Sequence, residues 1–236
     1  MFAYNNYAQI SGLNPDVSLG SPLFSQNSDG ALSKIIREAG KVTQIYDGET
    51  LGSPYPLNDF TPAQIYYKNK YTGTYLVRYN AWRGQMEIKE TNNPTEQYKI
   101  FLVDKNIHLM YAGHLMRFST FIDDKNETKN AYLTTLIDNE KYTLYKRLAV
   151  KYSEGRAAAN SMVNPIPSRF THFIDYYFTQ PGESTINYVN QRKNKFIKQF
   201  PKSSQNSIKT FLKEEKINLK DENDLIKTFN YVNTLQ

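Results

Sequence analysis

The sequence predicts a mainly β protein: an antiparallel sheet of the open-barrel or sandwich kind, followed by a C-terminal segment of three short helices. Three observations carry this expectation. Apolar and polar residues alternate from Gly52 to about Gln180, turn-forming clusters punctuate that region roughly every 8–12 residues, and after Pro181-Gly182 the apolar spacing becomes helical. A chain of 236 residues can bury one substantial core or two small ones. It divides on this reading into an extended arm over residues 1–50, a β domain over 51–180 and a helical segment over 181–236.

Residues 1 to about 30 are polar, rich in Asn, Ser and Gly, with Phe2, Tyr4, Tyr7 and Phe24 spaced along them. Such a segment is either a flexible tail or an extended arm that orders by lying on something else, and these four rings are the candidate partner contacts. Residues 31–47 fit a short helix ended by Gly40 as well as the beginning of the sheet.

Within the β region, Tyr75, Val77 and Tyr79 alternate with Leu76, Arg78 and Asn80, and Met86 and Ile88 alternate with Glu87 and Lys89. In KYTLYKRLAVKY, Tyr142, Leu144, Leu148, Val150 and Tyr152 share one face with Lys146 as its one polar member; Lys141, Thr143, Tyr145, Arg147 and Lys151 share the other. Period-2 alternation marks strands with one face buried and one wet. Turn signals separate them at Lys68–Gly73, Arg83-Gly84, Thr91–Pro94, Asp104–Asn106, Asp123–Asn130 and Asp138-Asn139. The stretch SEGRAAANSMVNPIPSR reads as a loop before a last apolar segment, RFTHFIDYYF.

In the tail, Ile186, Val189, Ile197 and Phe200 fit one helix closed by Pro201. Ser203 or Ser204 can cap a second helix carrying Ile208, Phe211 and Leu212. Asp221 can cap a third, with Leu225, Phe229 and Val232 on its apolar face. Each is too short to be stable without a surface to pack on.

The chain has no cysteine, which excludes disulfides, thiol catalysis and cysteine-bound metals. Its 19 tyrosines and 13 phenylalanines supply core area that its modest aliphatic content does not. Of the net +6, a surplus of five arises from Gln191 onward, where ten Lys or Arg face five Asp or Glu. Solvated outer helix faces account for that surplus more simply than a nucleic-acid or lipid footprint. No run approaches the ~18–20 apolar residues of a spanning helix.

Catalytic and ligand signatures are sparse. His108 and His114 could share a strand face if Ala112-Gly113 made no turn, and with Asp123 or Asp124 they form the one metal-site candidate; His172 stands apart. No nucleophile elbow or glycine-rich phosphate loop is present. In YLVRYNAWRGQ, Arg78 points away from Tyr75 and Tyr79, so core packing explains the rings better than base stacking does. The expectation is a non-enzymatic protein with no cofactor, no obligate small molecule and no nucleic-acid partner.

The order Gly52-Ser53-Pro54-Tyr55, then Phe60, then Arg78-Tyr79-Asn80 and Met86-Glu87-Ile88, with a lysine-rich helical tail, resembles a pattern in uncharacterised envelope proteins of Bacteroidota. The resemblance spans roughly residues 50–236. It implies export and a periplasmic location at the outer membrane, the signal peptide already removed. The chain is also similar overall to the plug proteins that close the periplasmic opening of the type IX secretion translocon. What this implies is a binding or plugging subunit whose partner is a large outer-membrane β-barrel; the alternative is a periplasmic β-barrel-like module that takes up a hydrophobic small molecule. In either case the GSPY stretch is a folding device: Gly52 permits a tight turn, Pro54 biases Ser53 to an extended conformation, and Tyr55 anchors the entry to the sheet.

Overall fold

The computed structural model describes residues 36–38 and residues 50–235 apart from 102, 140 and 161. The expected aromatic contacts Phe2, Tyr4, Tyr7 and Phe24 lie outside the described residues. In chain order the strands are β1 (Ile36–Glu38), β2 (Thr50–Leu51), β3 (Thr61–Tyr67), β4 (Lys70–Asn80), β5 (Gln85–Lys89), β6 (Lys99–Phe101), β7 (Ile107–Tyr111), β8 (His114–Ile122), β9 (Thr128–Ile137), β10 (Thr143–Ser153), β11 (Ser168–Thr179) and β12 (Ile186–Tyr188). The helices are α1 (Lys193–Ile197), α2 (Lys202–Glu214) and α3 (Glu222–Thr234). The mainly β class with C-terminal helices is therefore what the protein adopts. The sheet is nevertheless mixed: β2 pairs with β11 and β12 pairs with β8 in parallel.

Strand order is β1-β6-β5-β4-β3-β7-β8-β12-β11-β10-β9, and β9 pairs back onto β8. That last pairing closes β8, β9, β10, β11 and β12 into a ring. The remaining strands leave the first half of β8 as a curved wing. The hairpin turns obey local chemistry: Lys68-Asn69 and Ala112-Gly113 both hold two successive residues at positive φ, the geometry that matches the strand twist across a two-residue connection.

Three apolar clusters follow from this layout. The wing buries Ile65, Tyr75, Val77, Tyr79, Met86, Ile88 and Leu109 against Met116 and Tyr132, with Leu148 and Val150 of β10 packed on them. The ring interior holds Phe121, Leu133, Tyr177 and Ile186, flanked by Tyr145 and Tyr188. The third cluster joins the helices to the sheet: Leu144, Tyr176 and Phe178 meet Phe196, Phe200, Ile208, Leu212, Leu225, Phe229 and Val232. The helical segment is thus packed on the β structure through a shared core.

Several sequence expectations change here. The face of β10 expected to be wet carries Tyr145 and Arg147 into the ring, where Arg147 lies 3.7 Å from Asp175. Lys146, the polar member of the apolar face, ion-pairs with Glu222 of α3 at 2.7 Å. Ile186–Tyr188 is a strand, not the start of a helix, because β8 and β11 offer backbone partners that outweigh the three-residue apolar spacing. Pro201 is the N-cap residue of α2 and no hydroxyl of Ser203 or Ser204 caps it. Asp221 does cap α3, accepting from the Asp224 N–H at 3.1 Å.

Candidate functional site

Two regions combine geometry with chemistry: the loop that carries GSPY, and the long hairpin of β10 and β11. The loop explains its own sequence. Glu87 is 2% exposed, which is costly for a carboxylate unless every lone pair is used. Arg78 Nε and Nη2 donate to Oε2 at 3.0 and 2.6 Å, while the Tyr55 hydroxyl and Asn80 Nδ2 donate to Oε1 at 3.1 and 3.2 Å. The guanidinium lies 3.9 Å from the Tyr55 ring centre and 4.4 Å from that of Phe60, and Nη1 donates to the Asn58 carbonyl at 3.1 Å. Flat faces of a cation enclosed by two rings gain quadrupole attraction as well as packing. Burial, then the neighbouring Glu87 carboxylate, push the Tyr55 phenol well above its usual range, so it stays a donor.

Gly52, Ser53 and Pro54 fasten the same loop from the other side. The Pro54 carbonyl accepts from the Ala81 N–H at 3.0 Å, the Ser53 hydroxyl accepts from the Tyr55 N–H at 3.1 Å, and the Ser53 carbonyl lies 2.7 Å from His172 Nε2. Tyr79 points into the wing core, and Asn80 Oδ1 accepts from the Arg83 N–H at 3.0 Å. The GSPY, RYN and MEI segments thus meet in one buried polar network that covers the outer face of β4 and β5. Gly52 sits at φ +82°, and a Cβ there would lie 2.7 Å from the Phe170 carbonyl oxygen. Gly52→Ala is expected to cost about 1–3 kcal/mol, read as a lower urea midpoint at unchanged m; an unaltered midpoint would contradict this geometry.

The metal candidates do not converge. Ala112-Gly113 does make the turn, and the register pairs His108 with Arg117 but His114 with Tyr111, leaving the two imidazoles on opposite faces. His108 stacks on Tyr66, the rings 4.9 Å apart and nearly parallel. Asp123 spends its carboxylate on the Lys125 and Glu127 N–H groups. Among the described residues no three His, Cys, Asp or Glu side chains gather as a metal site.

A cavity of about 120 Å³ lies in the seam between wing, ring and α3. Leu57, Tyr79, Tyr111, Met116, Leu136 and Leu148 wall it, with the Lys146–Glu222 pair at one end.

The hairpin is the other site. β10 and β11 pair continuously from Thr143↔Thr179 to Ser153↔Arg169, and the arm is extended by reciprocal Arg156–Ile166 backbone bonds of 2.7 and 2.8 Å. Only its helix-proximal half is wrapped into the ring. Past that, Thr171, His172, Phe173 and Ile174 are exposed on both faces, Phe173 at 47% and Ile174 at 49%. At the tip Met162 is 95% exposed, with Val163 and Ile166 beside it. From Ala157 to Ser168 the chain carries no charged residue. Exposed apolar groups gathered on one element mark an interaction surface far better than the same residues scattered singly. The sequence reads this stretch as a loop, and it is the loop that joins β10 to β11; its exposure as a tip was not read, and the uncharged run between Arg156 and Arg169 was the available signal.

Comparison with known proteins finds no matching family model, no matching characterised protein and no matching solved structure. Among the described residues no helix is long and apolar enough to cross a membrane.

Proposed function

We propose that this protein is a non-catalytic binding subunit that docks on a partner protein through the β10–β11 arm. The observation that carries this reading is the arm itself: a two-stranded element packed on the wing through Leu148, Val150 and Phe170, whose tip and outer side expose Met162, Val163, Ile166, Phe173 and Ile174. Burying such side chains contributes about 25 cal/mol per Å² of apolar surface, the term that most often drives association. The resemblance of the GSPY, RYN and MEI pattern to envelope proteins, and of the whole chain to plug proteins, supports a partner among large outer-membrane barrels and a periplasmic setting. In that setting the wing and ring serve as the rigid obstruction and the arm as its fastening.

The test is purification in mild detergent from native membranes through a C-terminal tag, with mass spectrometry. One outer-membrane barrel is expected at near-equal stoichiometry, and it should be lost from the double variant Met162→Asp, Val163→Asp, whose fold stays intact because both positions are exposed. Equal recovery of the same barrel by that variant would refute docking through the arm. Recovery of the protein with no partner would favour the second reading, a module that takes a small hydrophobic molecule, for which the seam cavity is the supporting observation.

A further inference from the structure

The open edge of β11 says what kind of partner segment the arm accepts. Val189 donates its N–H to the Tyr176 carbonyl at 2.8 Å, on the β12 side of β11. Backbone groups alternate sides along a strand, so His172 and Ile174 turn their N–H and C=O groups to that same side. There β12 pairs only with residues 177–179 and β2 only with residues 168–169. Between them, at residues 171–175, no described strand pairs with β11 on that side; the loop leaving β2 touches this stretch at its start, where the Ser53 carbonyl lies 2.7 Å from the His172 side chain. Roughly 17 Å of edge is left, bordered by the exposed side chains of Phe173 and Ile174. An unpaired edge of this kind is a template for another extended chain.

We infer that this window binds a short extended peptide segment of the partner as an added strand, with a basic residue at one end and an acidic residue at the other. This rests on the reading of the arm as the docking surface. The sheet already accepts strands on both sides of the window, one parallel and one antiparallel, so an added segment continues an existing ladder. The charges set its polarity. At one end Asp175, ion-paired with Arg147 at 3.7 Å, stands near Asp124 and Asp123, so three carboxylates face one guanidinium; burial first, with Arg147 opposing and the two aspartates adding, pushes the Asp175 carboxyl up. At the other end stand Arg169 and, opposite Thr171, Lys151, both exposed. A second copy of β11 does not fit: its 12 residues overrun the window and collide with β2 and β12.

The probe is a capped synthetic peptide of alternating valine and threonine with glutamate at one end and lysine at the other, added to the full chain. At a peptide concentration about ten times its Kd, amide exchange at His172 and Ile174 should slow about tenfold. The Phe173 amide, which faces β10, should not change. A peptide with glutamate at both ends should bind more weakly. Ile174→Pro removes the N–H facing the window without touching the β10 ladder and should abolish the protection, whereas Ile174→Thr should keep it. Absence of protection at millimolar peptide overturns strand addition; so does protection that persists in Ile174→Pro. Protection that rises with protein concentration in the absence of peptide overturns the peptide as occupant in favour of a second copy. The capture experiment with the tip variant is independent of all three outcomes, so failure of strand addition and failure of the docking reading are distinguishable.

Discussion

Arg78→Met is expected to lower the stability of this protein by about 3–5 kcal/mol, the cost of leaving a buried carboxylate without its cation. Glu87 is 2% exposed in the folded protein, and with methionine at position 78 its Oε2 loses both donors. The Tyr55 hydroxyl and Asn80 amide still serve Oε1, but neutral donors offset only part of the desolvation. The loop loses its pin as well, because the guanidinium stacks on Tyr55 and Phe60. The double variant Arg78→Met, Glu87→Leu removes both charges and should be less destabilised than the sum of the single changes, since contacting residues couple. Urea unfolding of the four proteins in the cycle measures this. Strictly additive effects below about 1 kcal/mol would show that the pair behaves as a surface salt bridge and that the loop is held by other contacts.

The second large effect is expected at alkaline pH. Burial raises the phenols of Tyr79 and Tyr177 to about 12, and those of Tyr55, Tyr132 and Tyr176 rise further in the same direction, again chiefly through burial. In the unfolded chain a tyrosine ionises near pH 10. A raised folded-state pKa means that the stabilisation is complete below pH 10 and is lost as pH climbs toward 12. Tyr79, held in the wing core against Tyr132, accounts by itself for on the order of 2–3 kcal/mol over that interval. Set against a typical total of about 5–15 kcal/mol, several such residues should bring about cooperative unfolding between pH 10 and 12. Tyrosinate absorbance should then rise in step with loss of the β circular dichroism. Ionisation of all the tyrosines near pH 10 with the β signal intact would contradict the burial.

How much of this was legible depends on how local the signal is. The alternation in β4 and β10 and the glycine and asparagine turns act within a few residues, so strands and hairpins could be read. The Asp221 cap with Asp224 three residues on could be read for the same reason. The GSPY, RYN and MEI segments could be recognised as a set, and Tyr55 as an anchor, but not the atom they serve: Glu87 looked like an ordinary wet-face residue of a short strand. Its burial depends on a loop laid across β4 and β5 from more than 20 residues upstream (Tyr55 is 32 positions away). Lys146 looked like an intruder in an apolar face for the same reason, its partner Glu222 lying on α3. The arm's exposed apolar residues were visible as letters and unremarkable as such, since exposure is a property of the packed molecule.

The sequence by itself determined the mainly β character, the turn positions, the helical C-terminal segment and the apolar faces of α2 and α3. Those features follow from side-chain periodicity and backbone preference, which operate along the chain. The tertiary structure alone decided that β8 to β12 close into a ring, that β2 and β12 join it in parallel, and that Ile186–Tyr188 extends and does not coil. It also decided that no described strand pairs with residues 171–175 of β11 on the β12 side. Strand partners are chosen by which backbone groups remain unpaired once the cores have formed, and that choice is made across the sheet between segments far apart in sequence.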